Sequence, residues 1–307
     1  MEVQKLQRYD LIERIAAGGM GEVFRARAHG PMGFEKTLAV KRILPELSSD
    51  REFVDRFISE SKLAVSLSHA NLVQVFDLGR AGDDLFLVME YVHGADLARI
   101  LTAARGAERR LPIPLCLLII AEAAQGLAYA HGRHGIDSDI RGAHPLGIVH
   151  CDISPSNLLI SYAGEVKLTD FGVAQLIDRT RAAQAQGQQV MGKWRYMAPE
   201  QIRGEPIDAR TDLYALGVVL FEILTGRRAF AGDGVKGTCD LVLAGATPRL
   251  REVLPDAPPS LERFLQRLMA VDPKARPADA RAVLVQLAEI QAELGSQVTA
   301  LDLGELV

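Results

Sequence analysis

Apolar positions in the first third of the chain alternate over short runs, and later ones recur at helical spacing. Tyr9 to Ile15 reads as a strand running into Ala16-Ala17-Gly18-Gly19-Met20-Gly21-Glu22-Val23 and Phe24-Arg25-Ala26, a strand, glycine turn and strand. Thr37 to Lys41 alternates and predicts another strand. Residues 49–67 predict a helix: Ser49 or Asp50 caps it, acidic residues occupy its first turn, and Phe53, Phe57, Ala64 and Leu67 share one face. His69 to Leu78 and Asp84 to Met89 predict two more strands, joined through Gly79 and Gly82. Beyond Gly94 the pattern turns helical. Pro114 to His131 is apolar almost all round and predicts a buried helix. Asp212 to Leu224, closed by Thr225-Gly226, and Ala278 to Leu294 predict further helices.

The most informative stretch is His150 to Gly172, HCDISPSNLLISYAGEVKLTDFG. Two short apolar runs, Leu158 to Ile160 and Val166 to Leu168, flank a turn containing Gly164 and predict a β-hairpin. The hairpin brings Asn157, before its first strand, close to Asp170, after its second. Converging Asp and Asn oxygens suit a hard cation such as Mg²⁺ that keeps room for phosphate. Asp152, five residues before Asn157, is then placed to accept a proton from an incoming hydroxyl. Glu60 falls on or beside the apolar face of the 49–67 helix, where an unpaired carboxylate is costly. Pairing with Lys41 from a neighbouring strand relieves that cost; the alternative is a Glu60 side chain that reaches water.

In these motifs the chain resembles the protein-kinase superfamily, in order over residues 9 to 290. The resemblance implies an α+β, bilobal protein-kinase fold. A small antiparallel β-lobe with one helix (1–92) is followed by a larger, mainly helical lobe (93–295) and a C-terminal tail (296–307), with ATP between the lobes. It implies that Lys41, set by Glu60, holds the α- and β-phosphates, and that Gly18, Gly21 and Val23 belong to the glycine-rich loop, in which Ala16 replaces the first glycine. Met89 matches the gatekeeper, the backbones of Glu90 and Val92 match the adenine-binding hinge, and Ile15, Ala39 and Leu159 complete the nucleotide set. Asp96 stands where a ribose contact is expected, and equally where a helix N-terminus attracts a carboxylate. Asp152 is the implied catalytic base, Asn157 and Asp170 the ligands of Mg²⁺ or Mn²⁺. Asp212 is implied to bind backbone N–H groups of the catalytic loop, an N-cap being the alternative. Arg276 is implied to form a buried ion pair with Glu200. The implied reaction moves the γ-phosphoryl of Mg-ATP to serine or threonine of a protein substrate. The residue class rests on overall likeness to bacterial serine/threonine kinases.

Several positions depart from the family pattern. Cys151 replaces the arginine that commonly receives a phosphorylated activation loop, and Thr180 is the only serine or threonine between Asp170 and Glu200. Activity independent of loop phosphorylation is therefore expected. Ser154 stands where a lysine usually touches the γ-phosphate, and Lys193 stands where a threonine contacts the catalytic residues. An exchange in which Lys193 restores the cation follows as a hypothesis, the alternative being a surface lysine of the substrate groove. Residues 132–147 are longer than the family needs and read as a surface excursion. Ser156 replaces a glutamate common in arginine-directed kinases, so no basic preference follows.

Composition adds mainly exclusions. A net charge of -4 with 24 % charged residues gives no general attraction to nucleic acid or anionic membrane. The three cysteines are scattered, so neither disulfides nor a zinc site is suggested, and a reducing cytoplasm is expected. MEVQKLQRYD is too polar for a signal peptide, and the longest apolar run, Leu115 to Ala121, is short for a membrane span. The oligomeric state is left open. Two rival classes remain. One is a non-catalytic pseudokinase scaffold, supported by Ala16, Cys151 and Ser154; the other is a small-molecule phosphotransferase, disfavoured by Ala198-Pro199-Glu200.

Overall fold

The computed structural model describes residues 4–6, 8–19, 21–82, 84–133, 148–171, 193–295 and 297–307, with the side chains of 4, 5, 56, 59, 60 and 193 outside the description. The described chain divides into two compact units, one ending at His93 and one beginning at Gly94.

The first unit is a six-stranded antiparallel sheet in the order β1-β2-β3-β4-β6-β5. Its strands are β1 (Gln4–Leu6), β2 (Tyr9–Gly18), β3 (Gly21–His29), β4 (Glu35–Ile43), β5 (Val75–Ala81) and β6 (Asp84–Glu90). Two helices lie between β4 and β5, the single turn α1 (Pro45–Ser48) and α2 (Arg51–Ser66). Alternation sends Leu11, Ala26, Leu38, Val40, Phe86 and Val88 into one buried cluster with Leu6 and Tyr9. Asp50 caps α2, accepting from the backbone N–H groups of Glu52 and Phe53 at 3.0 and 3.2 Å. Phe53 and Phe57 stack on its buried face with ring centroids 6.0 Å apart. The strand expected from His69 begins only at Val75. Asn71 N–H donates to His69 Nδ1 and Leu72 N–H to the His69 carbonyl, a local turn that competes with the ladder.

The second unit combines the three-stranded sheet β7 (Gly94–Asp96), β8 (Leu158–Ser161) and β9 (Val166–Leu168) with helices. These are α3 (Leu97–Gly106), α4 (Ile113–His131), α5 (Pro199–Arg203), α6 (Ala209–Thr225), α7 (Gly234–Leu243), α8 (Leu250–Val253), α9 (Pro259–Leu268), α10 (Ala280–Leu294) and α11 (Ala300–Gly304). α4 packs against α6 and α10, and α6 is buried from Thr211 to Thr225. By length and composition alone α4 matches a membrane-crossing helix, yet 56 % of its apolar window is buried within the fold. The stretch expected as tail contains α11. It begins at Thr299, whose N–H and hydroxyl both donate to Asp302. Its Ala300 carbonyl lies against the β8–β9 turn, where a Cβ on Gly164 would sit 1.6 Å away and where φ is +80°. Only glycine fits there.

Candidate active site

The site in the second unit is organised by Asp212, fully buried in the first turn of α6. Asp208, not Asp212, caps that helix by accepting from Arg210 N–H at 2.8 Å. Asp212 reaches across instead: its carboxylate accepts from the backbone N–H groups of His150 and Cys151, each at 2.8 Å. His131 Nε2, from the end of α4, sits at 2.8 Å from the same group. Three donors on one buried carboxylate meet its hydrogen-bonding demand and pin the 150–152 backbone. Cys151 is pulled to φ 63°, a conformation uncommon outside glycine. Gln201 Nε2, from α5, donates to the Cys151 carbonyl at 3.0 Å.

His150 joins this loop to the hairpin. Its Nδ1 accepts from Asp152 N–H at 3.3 Å, and its Nε2 lies 3.0 Å from the Thr169 carbonyl. Those roles place the proton on Nε2. The imidazole also packs on Phe171, with ring centroids 4.3 Å apart. The hairpin has the expected form: Leu158 pairs with Leu168, and Thr169 N–H donates to the Asn157 carbonyl at 3.0 Å. Asn157 and Thr169 therefore face each other across the sheet, and Asp170 follows at once, at φ 64°. Aspartate tolerates that left-handed conformation better than most residues, and its recurrence beside a functional group is a common place for local strain.

Asn157 is buried, and its Nδ2 donates to both the Asp152 carbonyl (2.7 Å) and Asp152 Oδ2 (2.8 Å). The amide therefore fixes the Asp152 carboxylate and turns its own oxygen away from it. Asn157 Oδ1 and the Asp170 carboxylate are oxygen donors of the kind a hard divalent cation takes. Among the described residues no group of three or more His, Cys, Asp or Glu forms a metal cage. Ser154 is buried, its hydroxyl 3.0 Å from that of Ser156.

Glu200, in α5, is anchored as anticipated. Arg276 Nη1 and Nη2 donate to its two oxygens at 2.7 and 2.8 Å, and Thr211 adds a bond at 2.9 Å. Burial works against the ionised carboxyl, but Arg276, the backbone and Thr211 outweigh it and hold its pKa below the ordinary range. Arg276 is itself satisfied by the carbonyls of Ala270, Arg210 and Val271 and lies over the Tyr214 ring.

In the first unit Lys41 is buried in β4, paired with Val23 of β3 and Leu87 of β6. Ala39, two residues earlier, pairs with Met89, which is buried, and Leu38 pairs with Glu90. Glu90 N–H donates to the Gln74 carbonyl at 2.8 Å. Ile15 is half-buried; Ala16 pairs with Val23, and Gly18 with Gly21 closes the β2–β3 hairpin. A Cβ on Gly21 would meet the Arg42 carbonyl at 2.1 Å, so that glycine is required by the β3–β4 approach, whereas Gly18 faces open space. Val92 follows β6 outside any regular element. The Glu60 side chain lies outside the described residues, as do the Lys193 side chain and the whole 172–192 segment with Thr180. In the second unit Asp96 caps α3, accepting from Arg99 N–H at 2.9 Å, and Leu159 pairs with Asp96 and Lys167. Sequence reasoning missed His131, Gln201 and the Tyr196–Glu222 pair. A polar residue ending an otherwise apolar helix was the available signal for His131.

An antiparallel sheet carrying a buried strand lysine, and a helical unit with an Asp152–Asn157 loop and a hairpin ending at Asp170, define the protein-kinase class of fold. The chain belongs to the protein kinase domain family, whose model matches residues 9–287. It is 38% identical over 96% of its length to the tyrosine-protein kinase MasK of Myxococcus xanthus, covering 45% of that protein. It is 34% identical over 87% of its length to the serine/threonine-protein kinase PrkC of Bacillus subtilis, covering 38% of it. For the serine/threonine-protein kinase PknB of Mycolicibacterium smegmatis the figures are 37% identity, 93% of this chain and 44% of that protein. The chain thus spans less than half the length of these relatives. Among solved structures, the PknI kinase domain of Mycobacterium tuberculosis matches with TM-score 0.69 and 26% identity, over 94% of this chain and 98% of that one.

Proposed function

We propose that the chain transfers the γ-phosphoryl of Mg-ATP to serine or threonine hydroxyls of a protein substrate. The observation that carries this reading is the Asn157 amide, which fixes the Asp152 carboxylate while standing across the hairpin from the residue preceding Asp170. Asp152 orients the acceptor hydroxyl and takes its proton as the O–P bond forms. Asn157 and Asp170 would hold Mg²⁺, or Mn²⁺, whose charge would offset that of the phosphate oxygens. Lys41 with Glu60 positions the α- and β-phosphates. The backbones of Glu90 and Val92, with Ile15, Ala16, Gly18, Gly21, Val23, Ala39, Met89, Asp96 and Leu159, hold the nucleoside and phosphates.

Asp152→Asn is expected to lower phosphoryl transfer by about 10²–10⁴-fold with nucleotide binding retained. A variant as active as the parent sinks the reading, and a parent that binds Mg-ATP without any transfer favours the scaffold alternative. Phosphoamino-acid analysis of the products decides between serine/threonine and tyrosine acceptors, the latter favoured by the name of the Myxococcus relative. Activity does not depend on loop phosphorylation in this reading, so Thr180→Ala keeps full turnover. Lys193 supplies the cation absent at Ser154: Lys193→Ala lowers kcat, and Ser154→Lys with Lys193→Thr restores part of it.

A further inference from the structure

Near the Asp152 loop, one carboxylate is outnumbered by arginines. Glu222 of α6 is 4 % exposed, and both its oxygens are already engaged. Arg105 Nη2, from α3, takes Oε1, and the Tyr196 hydroxyl donates to Oε2. Burial and Glu222 push the Tyr196 phenol well above its usual range; Arg195 and Arg228 lie close enough to oppose that shift. Arg195 Nε is buried with no hydrogen-bond partner, and neither Arg195 nor the exposed Arg228 has an ion-pair partner among the described residues. Of the three arginines Arg105 alone bonds Glu222; Arg195, next to Tyr196 in the chain, and Arg228, two residues beyond the Gly226 carbonyl that Arg105 Nε also meets at 2.8 Å, add positive charge beside that cluster. The surface also lies within reach of the chemistry. Residues 193–203 are tied to the catalytic loop by Gln201 Nε2 on the Cys151 carbonyl, 3.0 Å away. An extended peptide with its hydroxyl at Asp152 advances about 3.3 Å per residue, so positions flanking the acceptor are the ones such a neighbouring segment is able to read.

We propose that Arg195 and Arg228, beside the Arg105–Glu222–Tyr196 cluster, select acceptor peptides bearing an anionic side chain, carboxylate or phosphorylated, near the target hydroxyl. The inference rests on Asp152 as the group that faces the acceptor. Its energy is that of partly exposed charge pairs, modest for each arginine and weakened by salt.

The test uses short fluorescent peptides with one serine flanked by glutamate, by a single phosphoserine, by glutamine or by lysine. Anisotropy without ATP reads binding to the intact chain, and Mg-ATP added to the same samples reads transfer. A glutamate or phosphoserine peptide is expected to bind about ten-fold tighter than the glutamine peptide, with lysine weakest. Arg195→Gln and Arg228→Gln should each lose about 3-fold, and the double variant about ten-fold. Arg263→Gln, an exposed arginine on α9 with the same charge change, should leave binding intact. The two anionic peptides distinguish a carboxylate from a priming phosphate. Equal affinities, no binding by any peptide, a lysine preference, or an anionic preference that survives the double variant overturns the proposal. Selective binding without phosphoryl transfer instead defeats the phosphotransfer reading and leaves this surface standing.

Discussion

Charge is handled in opposite ways by the sheet unit and the helical unit. On the sheet, Glu22 lies between Arg14 and Arg42, each at 2.7 Å, and Arg25–Glu13 and Arg27–Glu35 add pairs at 3.1 and 3.3 Å. All are cross-strand pairs on neighbouring β-strands, and most of their side chains are 40 to 59 % exposed. In the helical unit the decisive charges are few and buried. Asp212 serves three donors, and Glu200 and Arg276 satisfy each other and their neighbours with side-chain exposures of 3 and 0 %. Water can replace a lost partner on the sheet. It cannot reach the buried groups, so each of them fixes one arrangement of a loop.

The contrast is broken most severely at Glu200. Glu200→Ala leaves the Arg276 guanidinium buried without its carboxylate and should cost about 3–5 kcal/mol in urea unfolding. A loss below about 1 kcal/mol would place this pair with the surface ones. Asp212→Asn comes next. Its amide can accept on one side only, so at least one donor among His131, His150 and Cys151 is stranded, at about 1–3 kcal/mol. Because two of those three donors, His150 and Cys151, belong to the loop of Asp152, kcat should fall further than affinity for nucleotide. Unchanged kcat with lowered stability would make Asp212 a purely structural anchor.

Acidification sharpens the same comparison. The folded-state pKa of Glu200 lies below its ordinary 4.5, so its contribution to stability is present above that value. It is lost as pH falls through the lower folded-state value. Urea midpoints measured from neutral pH downward should therefore drop in that acid window, and the window should shrink in a Glu200→Gln, Arg276→Leu double variant. The smallest effect belongs to the sheet. The Glu22 carboxyl is also held low, chiefly by Arg42 and then Arg14, but the group keeps partial access to water, its side chain 22 % exposed. Glu22→Gln should cost at most about 1 kcal/mol and less in high salt. A larger, salt-insensitive loss would show that this surface network holds the β2–β4 geometry after all.

Much of this organisation was legible in the residue order. Asp50 as the α2 cap and the Gly164 turn between Leu158–Ile160 and Val166–Leu168 follow from local chemistry, and the Glu200–Arg276 pair from the family resemblance. The departures have two causes, one local and one distant. The ladder begins at Val75 rather than His69 because His69 and Asn71 make a turn with their own backbone, a competition that alternation does not register. The helix Ala300–Gly304 was read as tail because its partner, the Gly164 turn, lies far away in sequence.

By itself the sequence determined the local frame of the candidate residues: Asp152, Asn157 and Asp170 are held by turns and strand runs only a few residues long. Periods of two and of 3.6 likewise assigned sheet and helix without a view of the partner surface. Tertiary structure decided between the two readings of Asp212, loop anchor and N-cap, in favour of the anchor, and added His131 to it. An aspartate in the first turn of a helix looks like a response to the helix dipole, and its use as a three-way anchor depends on His131, His150 and Cys151 arriving from distant positions. The same holds for the arginines around Glu222. Charge can be counted along the chain, but whether a charge is neutralised depends on which side chains burial brings within a few ångströms of it.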